Sequence, residues 1–244
     1  MNPILRSLHA RKSVRVFTKE PVSQEEKLAL LTAATQAPTA GNQQLYTILD
    51  ITEQAVKDRL AVLCDNQPFI AAAPVVLIFL ADCKKWYDAF RLGGCRPREP
   101  GLGDLVLAIS DANIAAQNAV TAAESLGLGS CYIGDIMEHH DQVCSLLSLP
   151  KYVFPAAMLV LGRPTQQQKE REKPERCALQ HIVHENAYRS MDGDELEAML
   201  TKNAGSRPYS DWLAAFCQRK YNSDFSREMT RSVSRYCQDF AKNA

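Results

Sequence analysis

Gly127-Leu128-Gly129-Ser130-Cys131-Tyr132-Ile133-Gly134-Asp135 is the stretch on which the reading of the fold turns. It looks like the dinucleotide fingerprint G-x-G-x-x-G, in which a strand delivers glycines to the start of a helix and the bare backbone meets a pyrophosphate. Two features remove that reading. Tyr132 stands where the third glycine belongs, and the order of elements is reversed. Upstream, Asp104 to Leu126 keeps Ile109, Ala112, Asn113, Ala116, Ala119, Val120 and Ala123 at helical spacing, so Gly127 ends a long helix. Downstream, Ser130 to Ile133 reads as a strand. Gly134 follows it, where a flat ring could lie close against the backbone. The many alanines of the long helix require a close neighbour, which is either the core of the chain or a second copy of it.

Outward from this junction, helical and strand-like segments alternate. Ser23 and Glu26 form a capping-box pattern before a helix reaching about Gln36, and Leu45 to Ile51 reads as a strand. Glu53 to Cys64 is an amphipathic helix through Val56, Leu60 and Leu63. Pro74 opens the apolar run Val75 to Leu80, of the kind covered on both faces of a sheet. A helix from about His139 to Leu149 and a strand from Ala156 to Leu161 follow. The stretches 93–103, with four glycines and two prolines, and 163–176, polar and charged, read as loops. From about 193 to 244 the pattern is helical with no strand to accompany it. No repeat divides the chain, so the expectation is one domain, 1–244, with a helical C-terminal extension.

Composition narrows the function. The chain has 244 residues, 46% hydrophobic and 23% charged, and its 28 basic residues balance 28 acidic ones. No overall field recruits nucleic acid or an acidic membrane, so any phosphate must be held by a local cluster. Eight cysteines without C-x-x-C or zinc-like spacing read as reduced thiols, which implies a cytoplasmic setting. His181 with His184, and Cys131, His139, His140 and Cys144, lack a recognisable metal-ligand spacing, so no metal is expected. No stretch approaches the roughly 20 apolar residues of a membrane helix. The first 19 residues carry five cations (Arg6, Arg11, Lys12, Arg15, Lys19) and no acid, as an organellar transit peptide or a folded phosphate site would.

Three further patches carry possible chemistry. In Arg11-Lys12-Ser13-Val14-Arg15, an extended backbone would put Arg11, Ser13 and Arg15 on one face, two guanidiniums around a hydroxyl, which suits a phosphate. Ala37-Pro38-Thr39-Ala40-Gly41-Asn42-Gln43-Gln44 ends a helix and carries three consecutive side-chain amides, able to meet the alternating donors and acceptors of a heterocycle edge. Lys173-Pro174-Glu175-Arg176 adds cations in a loop. Each has an ordinary reading as a solvated face or polar turn.

Taken in order, these motifs resemble the nitroreductase family. They are R-x-S-x-R-x-F at 11–17, A-P-x-A-G-N-x-Q at 37–44, A-A-E-S-L-G-L-G-x-x-Y-I-G at 122–134, L-G-R-P at 161–164 and V-H-E-N-x-Y at 183–188. The match is closer to its oxygen-insensitive NADPH nitroreductase and NADPH–flavin oxidoreductase branch. The resemblance spans nearly the whole chain and implies an α+β fold, a mixed sheet flanked by helices, whose C-terminal segments embrace a partner in an intertwined homodimer. It implies FMN as cofactor and NADPH or NADH as donor, in a ping-pong reduction of nitroaromatics, quinones or free flavin. Arg11, Lys12, Ser13 and Arg15 match the motif for the FMN phosphate and pyrimidine edge, which makes the basic start a folded site; Arg15, with Lys12, would stabilise the charge of the reduced ring. Thr39, Gln43 and Gln67 fall where the family touches the flavin, some of them across the dimer. Tyr132, Ile133 and Gly134 match the backbone platform beside the ring, and Lys173 with Arg176 a basic pair near the phosphate. Lys202 and Arg207 fall near positions used for the 2′-phosphate of NADPH. Asp135 departs from the branch, which has a second glycine there; a carboxylate beside the ring would oppose its reduced anion. No nucleophile or general base is needed, because the flavin carries the chemistry. The alternatives are specialised chemistry on the same fold, such as reductive dehalogenation or flavin destruction, and a flavin- or ligand-binding protein without catalysis.

Overall fold

The apolar run after Pro74 becomes β2, Val75–Asp82, and every one of its residues is buried. In the computed structural model, which describes residues 1–241, β2 pairs with β1 (Tyr46–Asp50) on one side and β4 (Val153–Gly162) on the other. The strand β3 (Gly129–Ile133) pairs with β4, giving the order β1-β2-β4-β3. All three pairings are antiparallel. The mixed character expected of the sheet is therefore confined to one parallel bridge, between Ser13 and Ser130.

Alternation along the strands divides the core in two. Leu77, Phe79 and Ala81 of β2 and Leu159 and Leu161 of β4 face one apolar layer, while Val76, Ile78, Leu80, Met158 and Val160 face the other. The first layer is supplied by α2 (Gln24–Thr35) and α6 (Leu102–Ser125), the second by α3 (Gln54–Leu63), α4 (Pro68–Ala72) and α7 (His140–Leu147). The alanines of α6 settle which neighbour they needed. Ala108, Ala112, Ala115, Ala116, Ala119 and Ala123 are fully buried, and without long side chains the helix lies close on the sheet and on α2. The opposite side of α6 leaves Val106, Leu107 and Ile114 exposed.

The capping box forms as the spacing demanded: Ser23 Oγ accepts from the Glu26 N–H at 3.1 Å, and Glu26 accepts from the Ser23 N–H at 2.8 Å. The stretch 163–176 is not wholly a loop. Thr165 starts a short helix, Gln166–Glu170, whose polar face hid it from a reading of apolar spacing.

The chain divides into two compact units. One comprises Met1–Arg171 together with the chain from Glu228 on; the other is Glu172–Arg227. The second contains helices Gly193–Leu200 and Tyr209–Lys220 and, among its described residues, no strand. The last helix, Asp224–Cys237, begins in the second unit, and its Tyr236 is buried in the first unit's core.

Candidate active site

β3 is an edge strand, and the N-terminal segment is laid along it. The Val14 N–H donates to Ser130 O at 2.9 Å, and farther on the Thr18 N–H donates to Arg163 O at 2.8 Å. Two glycines make room. A β carbon on Gly129 would sit 2.5 Å from Val14 Cγ2, and one on Gly162 would sit 2.8 Å from Pro74 Cδ and 2.9 Å from Phe17 Cδ1. The glycine of the 127–135 stretch that matters most is thus Gly129, which admits a second segment of the same chain. Arg163 fastens the segment from outside, pairing with Glu20 at 2.5 Å and Glu26 at 2.8 Å.

With the backbone extended, Arg11, Ser13 and Arg15 share a face, as alternation required. All three act on the Cys131 thiol: burial pushes it up, while Arg15, Ser13 and Arg11 pull it the other way. The Arg11 guanidinium stands 5.9 Å from the centroid of the Tyr132 ring. Burial pushes the Tyr132 hydroxyl up to about 12, against the pull of Arg11. The Arg15 guanidinium lies 5.9 Å from the Phe69 ring, two residues beyond Gln67. Gln67 precedes α4, and its Nε2 donates to Cys64 O at 2.8 Å. The structure therefore gathers Arg11, Ser13, Arg15 and Tyr132 at β3, with Gln67 two residues from the Phe69 that Arg15 covers. The Lys12 ammonium is spent differently, on the carbonyls of Lys169, at 2.7 Å, and Arg171.

Ile133 is buried, and Gly134 opens a 3-10 turn running to Met137. A β carbon on Gly134 would meet nothing nearer than Met137 Cε at 3.8 Å, so nothing within the chain demands glycine there. Burial raises Cys64 and Glu138, and the charge of Asp135 adds to the rise at both. Near this junction Arg11 Nε and Ser130 Oγ are buried without a hydrogen-bond partner among the described residues. A guanidinium N–H already withdrawn from water and unspent within the protein suits an acceptor-rich ligand such as a phosphate. The residues present fit FMN.

The amide turn forms a second patch. Gly41, Asn42 and Gln44 have φ of 57°, 56° and 49°. Thr39 donates to Asp111, and its hydroxyl accepts from the Gln44 N–H at 2.7 Å. Asp111, only 4% exposed, also accepts from the Ala40 N–H at 3.1 Å and the Leu45 N–H at 3.2 Å. The Gln43 carbonyl accepts from Trp86 Nε1 at 2.7 Å. Trp86 belongs to α5, Lys84–Leu92, which with Phe90, Pro97 and Leu107 walls a cleft of about 290 Å³ beside Gln43. Sequence reasoning missed Asp111, Trp86 and Ser130. Of these Asp111 left a signal, an acid on the alanine face of a helix.

In the second unit Lys202 pairs with Glu175 at 3.1 Å, and Arg176, Cys177 and His181 line the same cavity of about 60 Å³. The structure thus gathers Arg176 and Lys202, expected at different phosphates, around one small hollow. Arg207 is exposed two residues before the helix Tyr209–Lys220.

Residues 8–163 match the model of the nitroreductase family. The NAD(P)H FMN reductase of Bacillus subtilis is 32% identical over 238 residues, covering 97% of this chain and 91% of that protein. The oxygen-insensitive NADPH nitroreductase of Salmonella typhimurium is 36% identical over 193 residues, 79% of this chain and 77% of that one. Among solved structures, the NADPH:FMN oxidoreductase of Vibrio harveyi complexed with NAD+ superposes with a TM-score of 0.81 at 25% identity, covering 97% of this chain and 98% of its own.

Proposed function

The chain belongs to the nitroreductase family, and from that premise we propose that it is an FMN-dependent NAD(P)H oxidoreductase reducing small acceptors such as nitroaromatics, quinones or free flavin. The observation that carries the proposal is the junction of residues 11–17 with β3, where two guanidiniums and a hydroxyl converge and the buried Arg11 Nε has no hydrogen-bond partner among the described residues. FMN, when bound, supplies the two-electron transfer from donor to acceptor. The protein's share is geometric and electrostatic. Arg11 and Ser13 hold the phosphate, and Arg15, braced on Phe69, brings positive charge to the pyrimidine edge. Lys12 adds charge while tying the end of the Gln166–Glu170 helix to the cation segment. Gln67 and the backbone from Tyr132 to Asp135 border the ring. We assign the second unit's cations Lys173, Arg176, Lys202 and Arg207 to phosphate, Lys202 and Arg207 to the 2′-phosphate of NADPH, with Arg176 beside Lys202 at one hollow.

We assign Thr39 and Gln43 to the flavin of a partner subunit, in a homodimer. What supports this is their separate tethering: Asp111 holds Thr39, whereas the Tyr132 hydroxyl reaches Gln117, 3.4 Å away, about 9 Å farther along the same helix. The exposed Val106, Leu107 and Ile114 supply an apolar face for the second copy. All eight cysteines are free thiols, which supports a reducing, cytoplasmic setting, and none of the described helices is long and apolar enough to cross a membrane. We read residues 1–244 as one functional domain, supported by the alignment of 97% of the chain with a single FMN reductase.

The test begins with colour. Purified protein should be yellow, release FMN on denaturation and consume NADPH with a quinone or nitroaromatic. Arg15→Ala should lose flavin occupancy or slow flavin reduction. Colourless protein that refuses micromolar FMN overturns the proposal.

A further inference from the structure

The turn from Thr39 to Gln44 is costly to form. Three of its residues occupy the left-handed region, two of them not glycine, at about 1–2 kcal/mol for each residue with a β carbon. Left to itself it would relax. What opposes this is a buried charge. Asp111 lies among fully buried alanines of α6, where a carboxylate belongs only if its hydrogen bonds are met. They are met wholly by the turn: Thr39 Oγ1 and the Ala40 N–H at its start, the Leu45 N–H at its end. One ammonium that feels its charge, Lys85, is committed to Tyr46 O at 2.5 Å. Trp86 holds the middle of the turn through the Gln43 carbonyl.

We infer that Asp111 is a positioning residue for the flavin, holding Thr39 and Gln43 in the one turn conformation that can meet it. This rests on the flavin reading above. The demand is for a carboxylate: an amide at 111 would turn its NH2 toward the Ala40 N–H in one orientation and the Leu45 N–H in the other, and neither backbone donor can accept. Asp111→Asn should therefore disturb the turn while preserving volume, and Thr39→Val should remove the hydroxyl's two bonds, to Asp111 and from the Gln44 N–H, at similar volume.

The experiment titrates FMN into apoprotein of wild type, Asp111→Asn and Thr39→Val, following flavin fluorescence and visible circular dichroism. Hydrogen exchange of the 38–46 backbone is measured on the same apoproteins. Asp111→Asn should weaken FMN by about 10–100-fold and alter the dichroism of whatever flavin binds. It should also speed exchange at 38–46 more than in β2. Thr39→Val should shift in the same direction by a smaller factor, and the double variant should be no worse than Asp111→Asn. If Asp111→Asn does not fold, Thr39→Val decides by its paired readouts: weaker FMN with faster exchange at 38–46 supports positioning, whereas weaker FMN with wild-type exchange is loss of a direct flavin contact and overturns the inference. Wild-type affinity and dichroism in a variant with faster exchange or a lower melting temperature would show a structural role only and overturn the inference. Failure of wild type to take FMN would overturn the flavin reading and this inference with it.

Discussion

Replacing Gly129 by alanine adds one methyl group, and its effect can be worked from the packing of Val14. The new carbon would stand 2.5, 2.7 and 2.9 Å from Val14 Cγ2, Cβ and Cγ1, against an ordinary contact of about 3.5–4.0 Å. Rotating Val14 moves the two γ carbons but not the β carbon, so the segments must part by roughly 1 Å to restore ordinary contact. That stretches the 2.9 Å bond from the Val14 N–H to Ser130 O past useful length. Overpacking of this kind costs about 1–3 kcal/mol and the lost bond about 1 kcal/mol. For a chain of this size the melting temperature should fall by roughly 4–16 °C. Arg11, Ser13 and Arg15 move with the segment, so FMN affinity, read by fluorescence quenching, should drop at least about tenfold, the equivalent of 1.4 kcal/mol. Gly103→Ala is the control, since a β carbon there meets nothing within 4 Å. Adding Val14→Gly to Gly129→Ala removes all three clashing atoms and should restore FMN binding. A Gly129→Ala protein with wild-type melting and wild-type FMN affinity would refute the role assigned to this junction.

Glu138 should make stability depend on pH. Burial, reinforced by Asp135, Asp65 and Glu228, pushes it up to about 7; a raised value means its stabilisation is complete below the ordinary carboxyl range and lost as pH rises through about 7. Glu138→Gln should thus raise the melting temperature at pH 8 by about 2–4 °C per kcal/mol relieved and leave it unchanged near pH 4; an equal gain at both pH values would remove the titration as cause. Arg207→Ala should raise the KM for NADPH several-fold more than that for NADH, and steady-state kinetics showing equal changes would cancel its 2′-phosphate role. Val106→Arg, on an exposed face, should yield a folded monomer by light scattering with weakened FMN binding. A dimer with full flavin would relocate the interface.

The elements legible in the sequence were those whose own spacing or caps define them. The Ser23–Glu26 box, the buried run of β2 and the alanine face of α6 depend on neighbours within a few residues, and each stands where the pattern placed it to within about two residues. The alternation of Arg11, Ser13 and Arg15 was readable for the same reason. Strand direction was not, because antiparallel and parallel pairs buried on both faces present the same unbroken apolar run. Partners distant in sequence were also hidden. Nothing local to Gly129 announces Val14, and nothing in Thr39 announces a carboxylate 72 residues on. The clue that existed was negative: a charge on an apolar stripe, as at Asp111, must have a partner somewhere.

A single helix connects the pieces. Over about 36 Å, α6 uses its alanines to lie on the sheet, Asp111 to hold the amide turn, Gln117 to touch Tyr132, and its outer apolar residues as the proposed face for a second subunit. Close packing makes such a helix stiff, since small buried residues leave no slack to absorb a shift. Displacing it at the outer face would move the Asp111 tether and the Gln117 contact together rather than one alone. The proposed subunit face and the geometry of both proposed flavin patches thus share one mechanical element. Loss of the dimer should therefore weaken the Arg11–Arg15 side of the site as well as remove the partner's Thr39 and Gln43.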